Sequence, residues 1–148
     1  MVKLPFVRRQ KPAADPPPFA PGSASSTTVL IVENEIILRS LFANALRRDG
    51  YRVLEADHGV QALALAQQAD RIDMVVTDVH MPKMDGIELG AKLRESYPNL
   101  PILYVSGYPL DESELVPHSD VLQKPFAWQA LRDKTVQAVG LPAPLEAA

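Results

Sequence analysis

Short apolar runs punctuate this chain, and each breaks off at a polar residue. Val29-Leu30-Ile31-Val32 ends at Glu33-Asn34, Ile72–Thr77 at Asp78, Ile102–Val105 at Ser106-Gly107, and Val121-Leu122 runs on to Lys124. A run that is apolar over most of its length, rather than in alternation, reads as a strand buried on both faces. The segments between these runs carry apolar residues at helical spacing instead. Ile37, Leu38, Leu41, Phe42, Ala45 and Leu46 follow the first run, and Gly50 ends that helix. Tyr51–Ala56 reads as a further strand, then Val60–Ala69 and Gly86–Ser96 as helices. Asp111–Leu115 is at best a short helix before Pro117, and Phe126–Val139 is the last, with Leu131, Val136 and Val139 inward.

Strands alternating with helices imply a parallel sheet covered on both faces, joined by right-handed crossovers. Five strands and five helices fit a flavodoxin-like (βα)5 doubly wound α/β fold with strand order 2-1-3-4-5. Residues 28–140 are expected to form this one domain. Residues 1–27 hold six of the 14 prolines, clustered around Pro16-Pro17-Pro18, and then a Ser/Thr run. Such a composition cannot bury enough surface to offset its ordering entropy, so a disordered tail is expected. Residues 141–148 are expected to be a short C-terminal tail, and no output domain of the chain's own is expected.

Charge narrows the partners. Residues 1–28 carry four Lys/Arg and one Asp, a net of +3; the remainder has 11 basic and 17 acidic side chains, a net of −6. An acidic globular part argues against nucleic-acid binding. No apolar run approaches membrane-spanning length, and no secretory signal follows the basic N-terminus, so no membrane and a cytoplasmic location are expected. The absence of cysteine excludes disulfides and thiolate chemistry.

In an open α/β sheet, ligands bind beyond the carboxyl ends of the strands. There the sequence delivers Glu33 and Asn34, Asp78, Ser106 and Lys124. Carboxylate and amide oxygens suit a hard cation such as Mg2+. A lysine can pair with added anionic charge, and a hydroxyl can hydrogen-bond a phosphoryl oxygen. This set asks for an aspartyl phosphate on Asp78. Singly, each residue has a plainer use: Glu33 as a first-turn acid, Asn34 as a helix N-cap, Ser106 as a cap for the next segment. His58, His80 and His118 show no metal-ligand spacing, and no Gly-x-Ser-x-Gly elbow or phosphate-binding glycine loop is present.

Val29–Glu35, Thr77–Gly86, Val105–Tyr108 and Lys124-Pro125-Phe126 occur in order, each at a strand end. In these motifs the chain resembles the receiver domain of two-component response regulators. The resemblance implies that a sensor histidine kinase or phosphotransfer protein donates a phosphoryl group to Asp78. It implies Mg2+ held by Glu33, Asn34, Asp78 and the backbone carbonyl of His80, with Ser106 moving toward the phosphate and Lys124 pairing with it. It also implies a cis bond before Pro125, and an output face made by the fourth helix, fifth strand and fifth helix that contacts an unknown downstream protein. The molecule is expected to be a monomer or weak dimer. No enzyme activity is expected beyond slow self-phosphorylation and self-dephosphorylation.

Three departures stand out. Asn34 replaces the second acid of the pair, which predicts weakened Mg2+ binding. Val121 stands where many receivers carry a Tyr or Phe that swings inward. Only 17 residues separate Ser106 from Lys124, with Pro109 and Pro117 among them, so the fourth helix should be short or frayed. Asn34 and Val121 favour an alternative, a pseudo-receiver that binds proteins without phosphorylation. A small Mg2+-dependent phosphohydrolase would need a further acid and a substrate cap, neither of which the sequence displays.

Overall fold

A computed structural model describes residues 27–141. The expected N-terminal tail (residues 1–27), except for Thr27, and the last seven residues lie outside them. Thr27 belongs to the domain, because its carbonyl accepts the Arg52 N–H at 2.8 Å.

The five strands are β1 (Thr28–Val32), β2 (Arg52–Ala56), β3 (Met74–Asp78), β4 (Ile102–Ser106) and β5 (Ser119–Gln123). They form one parallel sheet in the order β2-β1-β3-β4-β5, as the alternating pattern predicts. β1, β3 and β4 are buried along their full length, which is why their sequences are not alternating. The helices are α1 (Ile36–Arg48), α2 (Gly59–Gln68), α3 (Gly86–Ser96) and α4 (Trp128–Val139). Val29, Ile31, Val76 and Val105 pack against Phe42 and Leu46 of α1 and Leu131 of α4. Leu30, Val32, Val75 and Tyr104 pack on the other face against Ala62 of α2 and Leu89 and Leu93 of α3.

Two expectations need correction. There are four α-helices among the described residues, not five; between β4 and β5 only a 3-10 turn forms, Glu112–Glu114. Pro109 and Pro117 bracket that segment and cannot donate to a continued helical ladder. The inward face of α1 is also narrower than its apolar pattern suggests. Phe42, Ala43 and Leu46 are buried, but Ile36, Ile37 and Leu41 stand exposed, Ile37 at 72%. The helix begins at Ile36, past the carboxyl end of β1 at Val32. Asp78 and Ser106 are the last residues of β3 and β4, at the strand ends where the sequence puts them, so sheet pairing fixes their backbones.

Local chemistry sets the junctions near the rim. Asp85 caps α3 by accepting the Glu88 N–H at 2.8 Å. A Cβ on Gly86 would overlap the Asp78 carbonyl, so only glycine lets α3 start this close to the end of β3. Met81 is buried in the core beside this loop, and Met84 packs partly buried against it. Trp128 is partly buried against the α1/α4 layer.

Candidate functional site

Glu33, Asp78 and Lys124 converge where β1, β3 and β5 end. Lys124 Nζ lies 3.4 Å from Asp78 Oδ1 and 3.9 Å from Glu33 Oε1. Both carboxylates are deeply enclosed: Glu33 is 2% exposed and Asp78 7%. The lysine side chain, 29% exposed, forms the open edge. The Lys124–Pro125 bond is cis, as the resemblance implies. The Lys124 N–H donates to the Ser106 carbonyl at 2.8 Å, which ties this turn to the end of β4.

Glu33 is the electrostatically loaded member. Its Oε2 accepts the Glu35 N–H at 3.0 Å, while its buried Oε1 has no hydrogen-bond partner. Burial pushes its carboxyl above the usual range. The Glu35 N–H opposes that shift, Asp78 adds to it, and Lys124 counters it. A cation placed beside Oε1 would supply what this oxygen lacks. Among the described residues, no group of three or more His, Cys, Asp or Glu side chains is arranged to hold a metal. The rim therefore offers two carboxylates together with the Asn34 amide and backbone carbonyls.

Asn34 is exposed beside Glu33 and does not cap α1; the N-cap is Glu35, with no side-chain cap bond. That leaves the Asn34 amide free of the plainer role open to it in the sequence. Ser106 is fully buried at the end of β4, and its hydroxyl is engaged away from the carboxylates. It donates to the Tyr108 carbonyl at 2.8 Å and accepts the Tyr108 N–H at 3.0 Å. His80, exposed two residues past Asp78, meets the Tyr108 ring edge-on, with centroids 4.6 Å apart and planes at 85°.

Arg39 has no place in the sequence motifs. Its Nη1 donates to the Glu33 carbonyl at 2.8 Å, and its Nε lies 3.4 Å from Glu55 Oε1. Arg47 closes the cluster from 3.0 Å on the other Glu55 oxygen. This braces the Glu33 backbone from α1 and β2. The one sequence signal for it is a lone arginine inside the apolar stretch Ile36–Phe42.

Comparison with known proteins places this geometry. The model of the response regulator receiver domain matches residues 29–136. The chain is 39% identical over 113 residues to the sensor kinase CckA of Brucella abortus, covering 73% of this chain and 12% of that protein. A chemotaxis protein CheY homolog of Campylobacter jejuni is 32% identical over 120 residues, 76% of this chain and 92% of that one. The chain thus spans most of some relatives and a small part of others. Among solved structures, a response regulator receiver protein from Sinorhizobium medicae superposes with a TM-score of 0.73 at 34% identity, covering 78% of this chain and 96% of that one. A receiver domain of a Pseudomonas aeruginosa sensor histidine kinase, with a magnesium ion coordinated in its active site cleft, shares the fold at a TM-score of 0.70 and 24% identity, covering 78% and 98%. Among the described residues, no helix is long and apolar enough to cross a membrane.

Proposed function

The chain belongs to the response regulator receiver family, and from that premise we propose that Asp78 accepts a phosphoryl group from a sensor histidine kinase or phosphotransfer protein. The observation that carries this reading is the lysine ammonium 3.4 Å from an enclosed aspartate carboxylate. An Asp78 oxygen attacks the phosphorus of a phosphohistidine. The P–N bond breaks, its electron pair returns to the imidazole nitrogen, and an acyl phosphate remains on Asp78. Lys124 then pairs with the new anionic oxygens. Ser106 is the hydroxyl available to donate to them.

Glu33, Asn34, Asp78 and the His80 carbonyl would hold Mg2+, and the partnerless Glu33 Oε1 supports that fit. When bound, the cation supplies charge neutralisation for the incoming phosphoryl group. An amide in place of a carboxylate brings no charge, so binding is weaker than with an acid at position 34. The donor protein would dock on the exposed apolar strip Ile36, Ile37 and Leu41, on the helix that starts just after Glu33 and Asn34. The protein then acts through contacts with a downstream protein and is not an enzyme beyond slow turnover of its own phosphate.

Incubation with Mg2+ and a small-molecule phosphodonor, followed by intact-mass measurement, tests this. A gain of one phosphoryl group, abolished by Asp78→Ala, is expected. Asn34 favours a second reading, a pseudo-receiver binding partners without phosphorylation. No mass gain under conditions that load an ordinary receiver would overturn the acceptor reading and favour this one.

A further inference from the structure

We propose that Arg39 is a positioning residue for Mg2+: it holds Glu33 and Asn34 from outside the site, and the neutral Asn34 amide serves as a metal ligand only while it does so. This rests on the metal-assisted reading above. The hydrogen bonds around Glu33 leave one direction open. Its N–H donates to the Ala56 carbonyl at 3.1 Å, its carbonyl accepts from Arg39 Nη1 at 2.8 Å, and its Oε2 accepts the Glu35 N–H at 3.0 Å. Oε1 alone has no hydrogen-bond partner, and it is the oxygen that lies 3.9 Å from Lys124 Nζ. With its backbone tied to β2 and α1, Glu33 presents that oxygen in a fixed direction.

Arg39 holds the next residue as well. Its side chain donates to the Glu33 carbonyl, and its own N–H donates to the Glu35 carbonyl at 2.9 Å. One residue therefore binds the carbonyls on either side of Asn34. This hold is itself anchored. Arg39 Nε lies 3.4 Å from Glu55 Oε1; Arg47 Nη1 lies 3.0 Å from Glu55 Oε2, and its Nη2 donates to the Val53 carbonyl at 3.0 Å. The Arg39 side chain is only 15% exposed, so water competes little for these bonds. An arginine can serve a carbonyl and a carboxylate at once, because its N–H donors fan out from a rigid plane. A lysine carries its donors on one atom.

The chemistry of position 34 makes this hold matter. A carboxylate attracts a cation over a distance and adapts to it. An amide offers only a dipole, so its contribution depends on its oxygen being in place beforehand. Groups that orient metal ligands from behind commonly set affinity by about 10–100-fold. Charge acts in the opposite sense, since the Arg39 guanidinium repels Mg2+, and Glu55 beside it offsets that repulsion. Arg39→Lys separates the two influences, because it keeps the charge and removes the fork.

The test is an amide NMR titration of the full chain with Mg2+, which reads weak affinities directly and shows in the same spectra whether a variant is folded. Arg39→Lys is compared with the parent, and again in the Asn34→Asp background. The expected result is a loss of Mg2+ affinity of about tenfold or more for Arg39→Lys, and a smaller loss once position 34 is an acid. A merely structural role would weaken binding equally in both backgrounds. Should Arg39→Lys not give a folded spectrum, Glu55→Gln repeats the comparison with the fork in place, and the same pattern with smaller losses is expected. Parental affinity in the variant, or equal losses in the two backgrounds, overturns the positioning role and leaves the metal site intact. Parent spectra that do not respond to Mg2+ overturn both.

Discussion

Replacing Lys124 by methionine tests the rim by removing its positive charge while keeping an unbranched stem. Nζ lies 3.4 Å from Asp78 Oδ1 and 3.9 Å from Glu33 Oε1. At an effective dielectric of about 20, these attractions are gross terms of about 5 and about 4 kcal/mol. Desolvation of the three charges offsets most of that, and water at the 29% exposed lysine screens part of the remainder. What the variant leaves behind matters more: two enclosed carboxylates facing each other, one with an oxygen lacking any hydrogen-bond partner. Removing one partner of a fully buried pair costs about 3–5 kcal/mol, and partial exposure brings the expectation here to about 2 kcal/mol at pH 7.

The pH dependence gives the sign. The Glu33 carboxyl is raised by burial, and Lys124 is one of the influences that lower it. A carboxyl raised in the folded state contributes stability that is fully present below its ordinary value of 4.5 and lost as pH rises through the raised value. Lys124→Met removes a lowering influence, so the variant should lose more stability than the parent between pH 4.5 and neutrality. Mg2+ should stabilise the variant more than the parent, because it replaces the missing positive charge. Urea unfolding followed by circular dichroism across that range measures all three effects. A loss under about 0.5 kcal/mol at pH 7, the scale of an exposed pair, would refute the reasoning, as would a pH slope equal to the parent's.

Asn34→Asp adds a charged ligand beside Glu33 and should tighten Mg2+ binding by about tenfold or more in a calorimetric titration; unchanged affinity would remove Asn34 from the metal site. Gly86→Ala drives a Cβ into the Asp78 carbonyl and to 2.9 Å from Val79 Cα, both backbone atoms. It should cost about 1–3 kcal/mol in thermal unfolding and slow phosphorylation of Asp78; parental stability would show that the α3 start can shift freely. Gly90→Ala meets the Tyr104 hydroxyl and should cost a similar amount, about 1–3 kcal/mol. That hydroxyl is buried without good hydrogen-bond geometry, although the Val116 backbone lies near it. Tyr104→Phe should therefore recover part of the loss, and a double-mutant cycle without coupling would contradict the contact.

Much of the site was legible because strand ends are legible. A continuous apolar run has to be buried on both faces, so the polar residue that ends it marks the rim; Glu33 and Ser106 are the first polar residues after their runs, and Asp78 is the first charged one, just after Thr77. The α1 pattern misled for the converse reason. Periodicity reports which residues share a helix face, not how far the sheet extends beneath it. Ile37 and Leu41 fall on the apolar stripe of α1 and yet stand exposed, while Phe42, Ala43 and Leu46 are buried. Proline placement did forecast the loss of a full helix between β4 and β5, because a missing N–H is a local property.

By itself the sequence determined the order of elements, the parallel sheet and the set of polar residues carried to one rim, since all three follow from local patterning. Only the tertiary structure decided how those residues meet. It set Lys124 within reach of two carboxylates, left one Glu33 oxygen without a partner, braced Glu33 through Arg39, and turned the Ser106 hydroxyl toward Tyr108. Each of these joins elements distant in the chain or depends on which competing acceptor lies nearest, and a linear pattern holds neither distance nor direction.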